Sequence, residues 1–171
     1  MEIIDLYDKN RQLLKETAVR GDKLPKGRYR LVVHICLFNE RDEMLIQKRQ
    51  TTQNIFANLW DLTAGGHVDA GETSSEGIQR ELSEELGINM DMSDEVPKFT
   101  VTFKNGFDDV YLMRTNVSLD ELTLQEEEVQ CVKWASEREI IEMIECGEFI
   151  PYKEAYIHLL FAYIDGDGTF D

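Results

Sequence analysis

The stretch Gly66–Ile88, GHVDAGETSSEGIQRELSEELGI, constrains the fold more than any other part of the chain. Thr73 or Ser74 supplies an N-cap, Glu76 suits the positive N-terminal end of a helix, and Ile78, Leu82 and Leu86 recur every four residues along one side. Gly87 is placed to close that helix, since glycine takes the left-handed cap conformation without strain. Glu81, Glu84 and Glu85 stand at i, i+3 and i+4, which gathers their side chains on one face within reach of a common point. Like charges at these spacings cost roughly 0.2–0.5 kcal/mol per pair, and Arg80 offsets only part of that. The rest of the chain reads as scaffold for this segment.

An acidic helix face is either simply solvated or binds a cation. Mg²⁺ or Mn²⁺ takes hard oxygen ligands, keeps several waters and combines a few carboxylates with substrate phosphates, so a divalent ion would turn the repulsion into attraction. The flanking residues favour this second reading. Gly66, Glu72, Arg80, Glu81, Leu82, Glu84, Glu85, Gly87 and Ile88 match the pattern G-x5-E-x7-R-E-U-x-E-E-x-G-U, with U aliphatic, at nine specified positions in 23 residues. In this the chain resembles the Nudix hydrolase family. The resemblance implies a loop-helix-loop site that binds a diphosphate through Mg²⁺ or Mn²⁺. Carried over position by position, Glu81, Glu84 and Glu85 hold metal and serve catalysis, Glu84 and Glu85 foremost as direct ligands and Glu81 as a third ligand or a water-orienting group, with Glu72 and Gly66 in the metal shell. Arg80 orients a glutamate by ion pairing. Arg80 and Glu81 lie about 100° apart around a helix and cannot serve one face equally, so Arg80 is expected to pair with Glu72. Gly66 and Gly71 let the backbone turn close to the ligand.

A chain of 171 residues is most economically a single domain over 1–171, and 42% hydrophobic with 30% charged residues is an ordinary globular composition. No apolar run approaches the length of a membrane span, and MEIIDLYDKNRQ lacks the basic-then-apolar pattern of a secretory signal, so the expected address is the cytoplasm. Cys36, Cys131 and Cys146 are odd in number, widely spaced and without zinc-type partners, which reads as reduced packing residues. A net charge of −16 argues against a nucleic-acid polymer as partner, because a phosphate backbone is held by clustered Lys and Arg. A small diphosphate is not excluded, since a metal supplies the positive charge locally. The basic residues concentrate in Arg20–Arg30 and at Lys48 and Arg49, a cluster suited to meet phosphate.

Along the chain, Ile3–Tyr7 and Leu13–Thr17 read as an N-terminal hairpin turning at Asp8–Asn10, within residues 1–18. Leu31–Asn39 and Met44–Arg49 read as a second hairpin, with His34 a core or pocket-wall histidine. Gln50–Asn58 is a polar loop with room for a helical turn, and Leu59–Ala64 is a strand leading into Gly65 and Gly66. Pro97–Lys104 and Val110–Val117 are strands joined by KNGFDD, where Asn105-Gly106 is the turn signal. Val129–Ala135 is a strand, Ser136 with Glu139 forms a capping box for a helix over Glu137–Glu145, and Pro151–Tyr163 is a final helix ahead of a fraying Asp165–Asp171 tail. Strands on both sides of one helix, with helices at the end, describe an α+β fold. The resemblance implies an α/β/α sandwich around a mixed β-sheet.

A carboxylate-held cation suits hydrolysis of a pyrophosphate bond in a nucleoside diphosphate linked to another moiety or in a related organic diphosphate. Glu126, Glu127 and Glu128 are candidate bases from outside the motif. LVVHICLFNERDEMLIQKR and FANLWDLTAGGHVDAGE further resemble the Nudix branch related to isopentenyl-diphosphate isomerase. Such an isomerase needs a cysteine just before the Gly-His pair, where this chain has Gly65, and a histidine at about the place of Arg30, although His67 is retained. Without the thiol, proton transfer at carbon lacks its acid-base group, and hydrolysis is the leading reading. A non-catalytic diphosphate sensor is the third, and all the metal glutamates that such modules tend to lose are present. Specificity is expected in Gly21–Arg30, Gln50–Asn58 and Ser118–Glu128, and the N-terminal hairpin offers an edge that a second copy of the chain could cover as a homodimer.

Overall fold

The computed structural model describes residues 2–166. Most of the expected fraying tail lies outside them, but Asp165 is described and accepts a 2.7 Å bond from Arg114 Nε. Strands β1 (Ile3–Tyr7) and β2 (Leu13–Val19) form the expected N-terminal hairpin as a sheet of their own, with β2 two residues longer than its sequence pattern indicated. The hairpin docks on the motif loop through Ala70 N–H to the Ile3 carbonyl at 2.8 Å and Gly71 N–H to Asp5 Oδ2 at 2.8 Å.

Strands β3 (Arg30–Phe38) and β4 (Met44–Arg49) do not pair along their length as the sequence suggested; they touch only at Phe38 and Met44 and then splay. Into the fork run β5 (Trp60–Asp61), paired with β4, and β6 (Ala64–His67), paired with β3. The single strand expected over Leu59–Ala64 is thus two pieces, because the chain crosses from one prong to the other at Leu62 and Thr63. Thr63 is fully buried there, accepts from Leu37 N–H at 2.9 Å and donates to the Leu45 carbonyl, which ties both prongs. Gly65 and Gly66 consequently sit inside a strand.

Beyond the motif, β7 (Phe99–Phe103) and β8 (Gly106–Arg114) form a hairpin whose turn is Lys104-Asn105, one residue earlier than expected, with Gly106 already paired to Phe103. Residues 106–109, expected in the turn, are therefore strand, and β8 runs parallel to β3 over the whole of Arg30–Phe38. β9 (Val129–Ala135) pairs antiparallel with β4, completing a mixed seven-stranded sheet.

Helix α1 (Ser74–Leu86) covers one face, with Ile78, Leu82 and Leu86 fully buried against Val33, Ile35, Leu37 and Tyr111. Thr73 and Glu76 form its capping box, and Gly87 closes it at φ 69°. Helices α2 (Glu137–Glu145) and α3 (Glu154–Ala162) cover the other face over Cys36, Phe38, Met44 and Ile46. The three layers are the α/β/α sandwich expected. α2 carries the Ser136–Glu139 capping box, but α3 begins three residues after Pro151, because Ile150 extends β5 by donating to the Trp60 carbonyl at 2.9 Å. Residues 50–58 form bends and turns with no helical turn. Cys36 is a buried packing residue, whereas Cys131 and Cys146 are exposed, contrary to the expectation for all three. Among the described residues no helix is long and apolar enough to cross a membrane.

One polar knot fixes α1 against this frame. Asp109 is fully buried on β8 and accepts from Ser74 Oγ at 2.7 Å, Thr100 Oγ1 at 2.6 Å and the Arg11 guanidinium. A buried carboxylate is tolerable only when its oxygens are satisfied in this way. The knot links the N-terminal hairpin, β7, β8 and the first turn of α1.

Candidate functional site

The motif glutamates separate by depth. Glu81 and Glu85, about 40° apart on the helix, are 8% and 5% exposed and point toward the sheet, while the Glu84 side chain is 53% exposed. Glu85 accepts from Gln47 Nε2 at 2.8 Å; Gln47 is a buried polar residue at an inward position of β4 that the sequence reading passed over. Glu81 lies against Gly66 of β6, and a Cβ at residue 66 would run into its carboxylate. Gly66 is therefore required by close approach of strand to helix, not by the turn that the sequence reading assigned to it; Gly71, at φ 89°, does occupy a turn.

Arg80 holds the group together. Its Nε and Nη2 donate to the two oxygens of Glu72 at 2.9 and 3.1 Å, and Nη2 also reaches the His67 carbonyl at 2.9 Å. Nη1 reaches Glu81 at 3.0 Å and Glu84 at 3.2 Å. The expected Arg80–Glu72 pair is present, and the long stem also folds back across the helix surface so that the guanidinium reaches Glu81. Glu72 in turn accepts from Asp69 N–H at 3.0 Å, pinning the loop.

Burial pushes the Glu85 carboxyl up to about 8, and the adjacent Glu81 charge adds to it against the Gln47 bond. Burial also raises Glu81, opposed by Arg80. Burial works against the Arg80 charge, yet Glu72 and Glu81 outweigh it and hold the guanidinium protonated. Two buried carboxylates side by side, each penalised by burial for its charge and only Glu81 met by a guanidinium, are hard oxygen donors, and this donor set fits a hard divalent cation. Among the described residues no three such side chains already converge as a metal cluster. Arg80 sits between Glu81 and Glu84, so the three-carboxylate gathering expected from spacing alone is drawn apart.

The open side is a cleft of about 410 Å³ lined by Arg80, Glu81, Glu84, Arg20, Gln125 and Glu128, with Glu2 and Asp69 at its edge. Of the three candidate bases, Glu128 lines this cleft, and Glu126 and Glu127 do not. Arg20, ion-paired with Glu2, also lines a second cavity of about 770 Å³ on the opposite face of the sheet, so the two spaces adjoin there. Arg30, His34, Arg49, Asp61, His67 and Tyr152 line that cavity, as do Gly21 and Gln53–Phe56 from two of the segments expected to carry specificity. Ser118–Glu128 contributes instead to the carboxylate cleft.

His34 is a pocket-wall residue, as expected, but it is also ion-paired: Nδ1 lies 2.9 Å from Asp108 Oδ1. Burial lowers its pKa and Asp108 outweighs that, pushing it up to about 9. His67, beside Arg20 and Arg30, is pushed the other way to about 4, by burial first and then by those two cations. Asp108 was missed because it was assigned to the turn; the signal was its alternation with Val110 and Leu112, which places all three on one face of β8.

The NUDIX domain family model matches residues 28–158. Two Listeria proteins, from L. innocua and L. monocytogenes, both named uncharacterised Nudix hydrolases, are 45% identical over 152 residues, covering 89% of this chain and 90% of each relative. A crystal structure from Deinococcus radiodurans is similar with a TM-score of 0.74 and 25% identity, over 93% of this chain and 97% of that one. A fold of three layers, a motif loop clamped by Arg80 and paired carboxylates buried on α1 agree with this match, and the chain belongs to the Nudix family.

Proposed function

We propose that the protein is a Mg²⁺- or Mn²⁺-dependent hydrolase that cleaves a pyrophosphate bond in a nucleoside diphosphate linked to another moiety, or in a related organic diphosphate. The observation that carries this reading is the Glu81–Glu85 pair, two buried carboxylates on one helix face beside an open cleft, with their charged forms penalised by burial. Glu81 and Glu85 would hold the metal, with Glu84 joining from the rim and Glu72 and Gly66 shaping the shell. When bound, a divalent cation neutralises charge on the diphosphate and makes a water easier to deprotonate.

The chain's own residues supply the rest. Arg80 orients Glu81 and keeps the loop closed through Glu72 and the His67 carbonyl. Glu128, facing the cleft from the start of β9, takes the proton of the attacking water as general base. Arg20 offers positive charge to the phosphates where the two cavities meet. Exposed free thiols at Cys131 and Cys146 suit a reducing compartment, which supports the cytoplasm as its place of action.

The isomerase-like reading fares worse. A Cβ at residue 65 would lie 2.7 Å from the Val33 carbonyl oxygen and collide with the His34 ring, so the thiol that this chemistry needs has no room. A screen of nucleotide sugars, dinucleotides, ADP-ribose, nucleoside triphosphates and isoprenoid diphosphates, with Mg²⁺ and then with chelator, tests the proposal. Phosphate-containing products that disappear in chelator are expected; interconversion of isopentenyl and dimethylallyl diphosphates with solvent deuterium entering the product would contradict it.

A further inference from the structure

The chain has nine arginines, and among the described residues Arg30 alone of them lacks a carboxylate partner. Arg11, Arg20, Arg28, Arg41, Arg49, Arg80, Arg114 and Arg138 are all ion-paired. Arg30 lines the large cavity and has no ion pair among the described residues. Its guanidinium lies 5.3 Å over the Phe103 ring, and its Nε is buried without a hydrogen-bond partner. Stacking satisfies the face of a guanidinium and leaves its in-plane donors free, and a donor buried without an acceptor costs stability unless a ligand meets it.

Two more donors face the same space. Arg49 gives Nη1 to Asp61 at 3.2 Å, but its Nε too is buried and unpaired. His34, two pairs along β3 on the same side as Arg30, is backed by Asp108 through Nδ1, which leaves Nε2 as its other donor. Among the described residues, the opposing charges lining the cavity are two: Asp61, occupied by Arg49 and by the Tyr152 hydroxyl at 2.9 Å, and Asp22. Exposed Ile55 and Phe56 and the half-buried Tyr152 give the cavity apolar surface as well.

We propose that this cavity is a second, metal-independent oxyanion subsite, in which Arg30, His34 and Arg49 hold a phosphate group that the substrate carries apart from its scissile diphosphate. This rests on the hydrolase reading for the diphosphate itself. The substrate class is then an organic diphosphate with a further phosphate on the attached moiety, the two ends meeting at Arg20, which borders both spaces. Arg30, His34 and Arg49 are specificity residues that touch this distal group.

The probe is inorganic phosphate, titrated into chelator-treated protein while the arginine Nε–H and histidine ring resonances are followed by NMR. Saturable shifts at Arg30 and His34 are expected, absent with acetate at equal ionic strength. Arg30→Gln should weaken phosphate binding roughly ten- to hundredfold, as loss of charge-assisted hydrogen bonds implies, with Arg30→Lys recovering part. An unmoved Arg30 resonance in the unmodified protein, or equal affinity in Arg30→Gln, would overturn the subsite. The titration is then repeated with saturating Mg²⁺ and methylenediphosphonate. Retained phosphate binding supports two sites, and competitive loss means the cavity holds the diphosphate itself and overturns the proposal. If phosphate still moves Arg30 while Mg²⁺ and the diphosphonate never bind at Glu81 and Glu85, the subsite stands and the hydrolase reading falls.

Discussion

Arg80 governs the local energetics of the cleft, since it satisfies Glu72, Glu81, Glu84 and a backbone carbonyl from one guanidinium. Arg80→Ala leaves the buried Glu81 without its cation, and should cost about 2 kcal/mol without metal, less than a fully buried pair because the site is partly open. For a domain of this size that lowers Tm by roughly 4–8 °C. Glu81→Gln removes a charge that burial already disfavours, so its metal-free melting point should equal or exceed the wild type while the rate falls. Melts of both variants in chelator separate the roles, which are misassigned if Glu81→Gln melts far below wild type and Arg80→Ala does not. His34 gives a pH signature. Its folded pKa, about 9, lies above the ordinary 6.5, so its contribution is full below pH 6.5 and is lost as pH rises through 9. Wild type should lose on the order of 2 kcal/mol across that interval relative to His34→Gln, after allowing for the ring's partial exposure. Parallel pH–stability curves for the two would remove the His34–Asp108 pair from the account.

At the level of elements, the site exists because β6 is wedged into the fork between β3 and β4 and brings Gly66 under α1. Gly66→Ala places a methyl in the space of the Glu81 carboxylate, a steric conflict that should cost about 1–3 kcal/mol. Because the side chain that must yield is a proposed metal ligand, metal affinity should fall more than stability does. Isothermal titration with Mn²⁺ alongside chelator-treated melts checks this, and unchanged Mn²⁺ affinity would show that the contact is relieved without moving Glu81. The helix α1 was legible in the sequence to within one residue at its start, Thr73 or Ser74, and at Gly87 at its end, since caps are local signals that act within one turn. The fork was not, because LVVHICLFN and MLIQKR look like a hairpin when only their own patterns are read. What separates them is a non-local pairing with Ala64–His67 and Trp60–Asp61, which no local propensity encodes.

Across the whole molecule, the nine-position motif foretold the family, the sandwich and the position of the acidic helix, but not the division of labour among its glutamates. Spacing puts Glu81, Glu84 and Glu85 on one face; only packing against the sheet decides that two are buried and one exposed. The basic cluster near Arg30 and Arg49 was visible as composition, yet its convergence with His34 into one cavity depends on strands far apart in sequence. Such contacts couple the two faces of the sheet through Arg20, and the account holds that chemistry takes place on the α1 side of that junction. The most direct test is ³¹P NMR of a cleaved organic diphosphate in H₂¹⁸O, with wild type and Glu85→Gln, in Mg²⁺ and in chelator. The account predicts that ¹⁸O enters a phosphate product, that this stops in chelator, and that Glu85→Gln slows it by about a hundredfold or more while the protein stays folded. Turnover that persists in chelator or in Glu85→Gln, or a product that keeps its diphosphate intact, would contradict it.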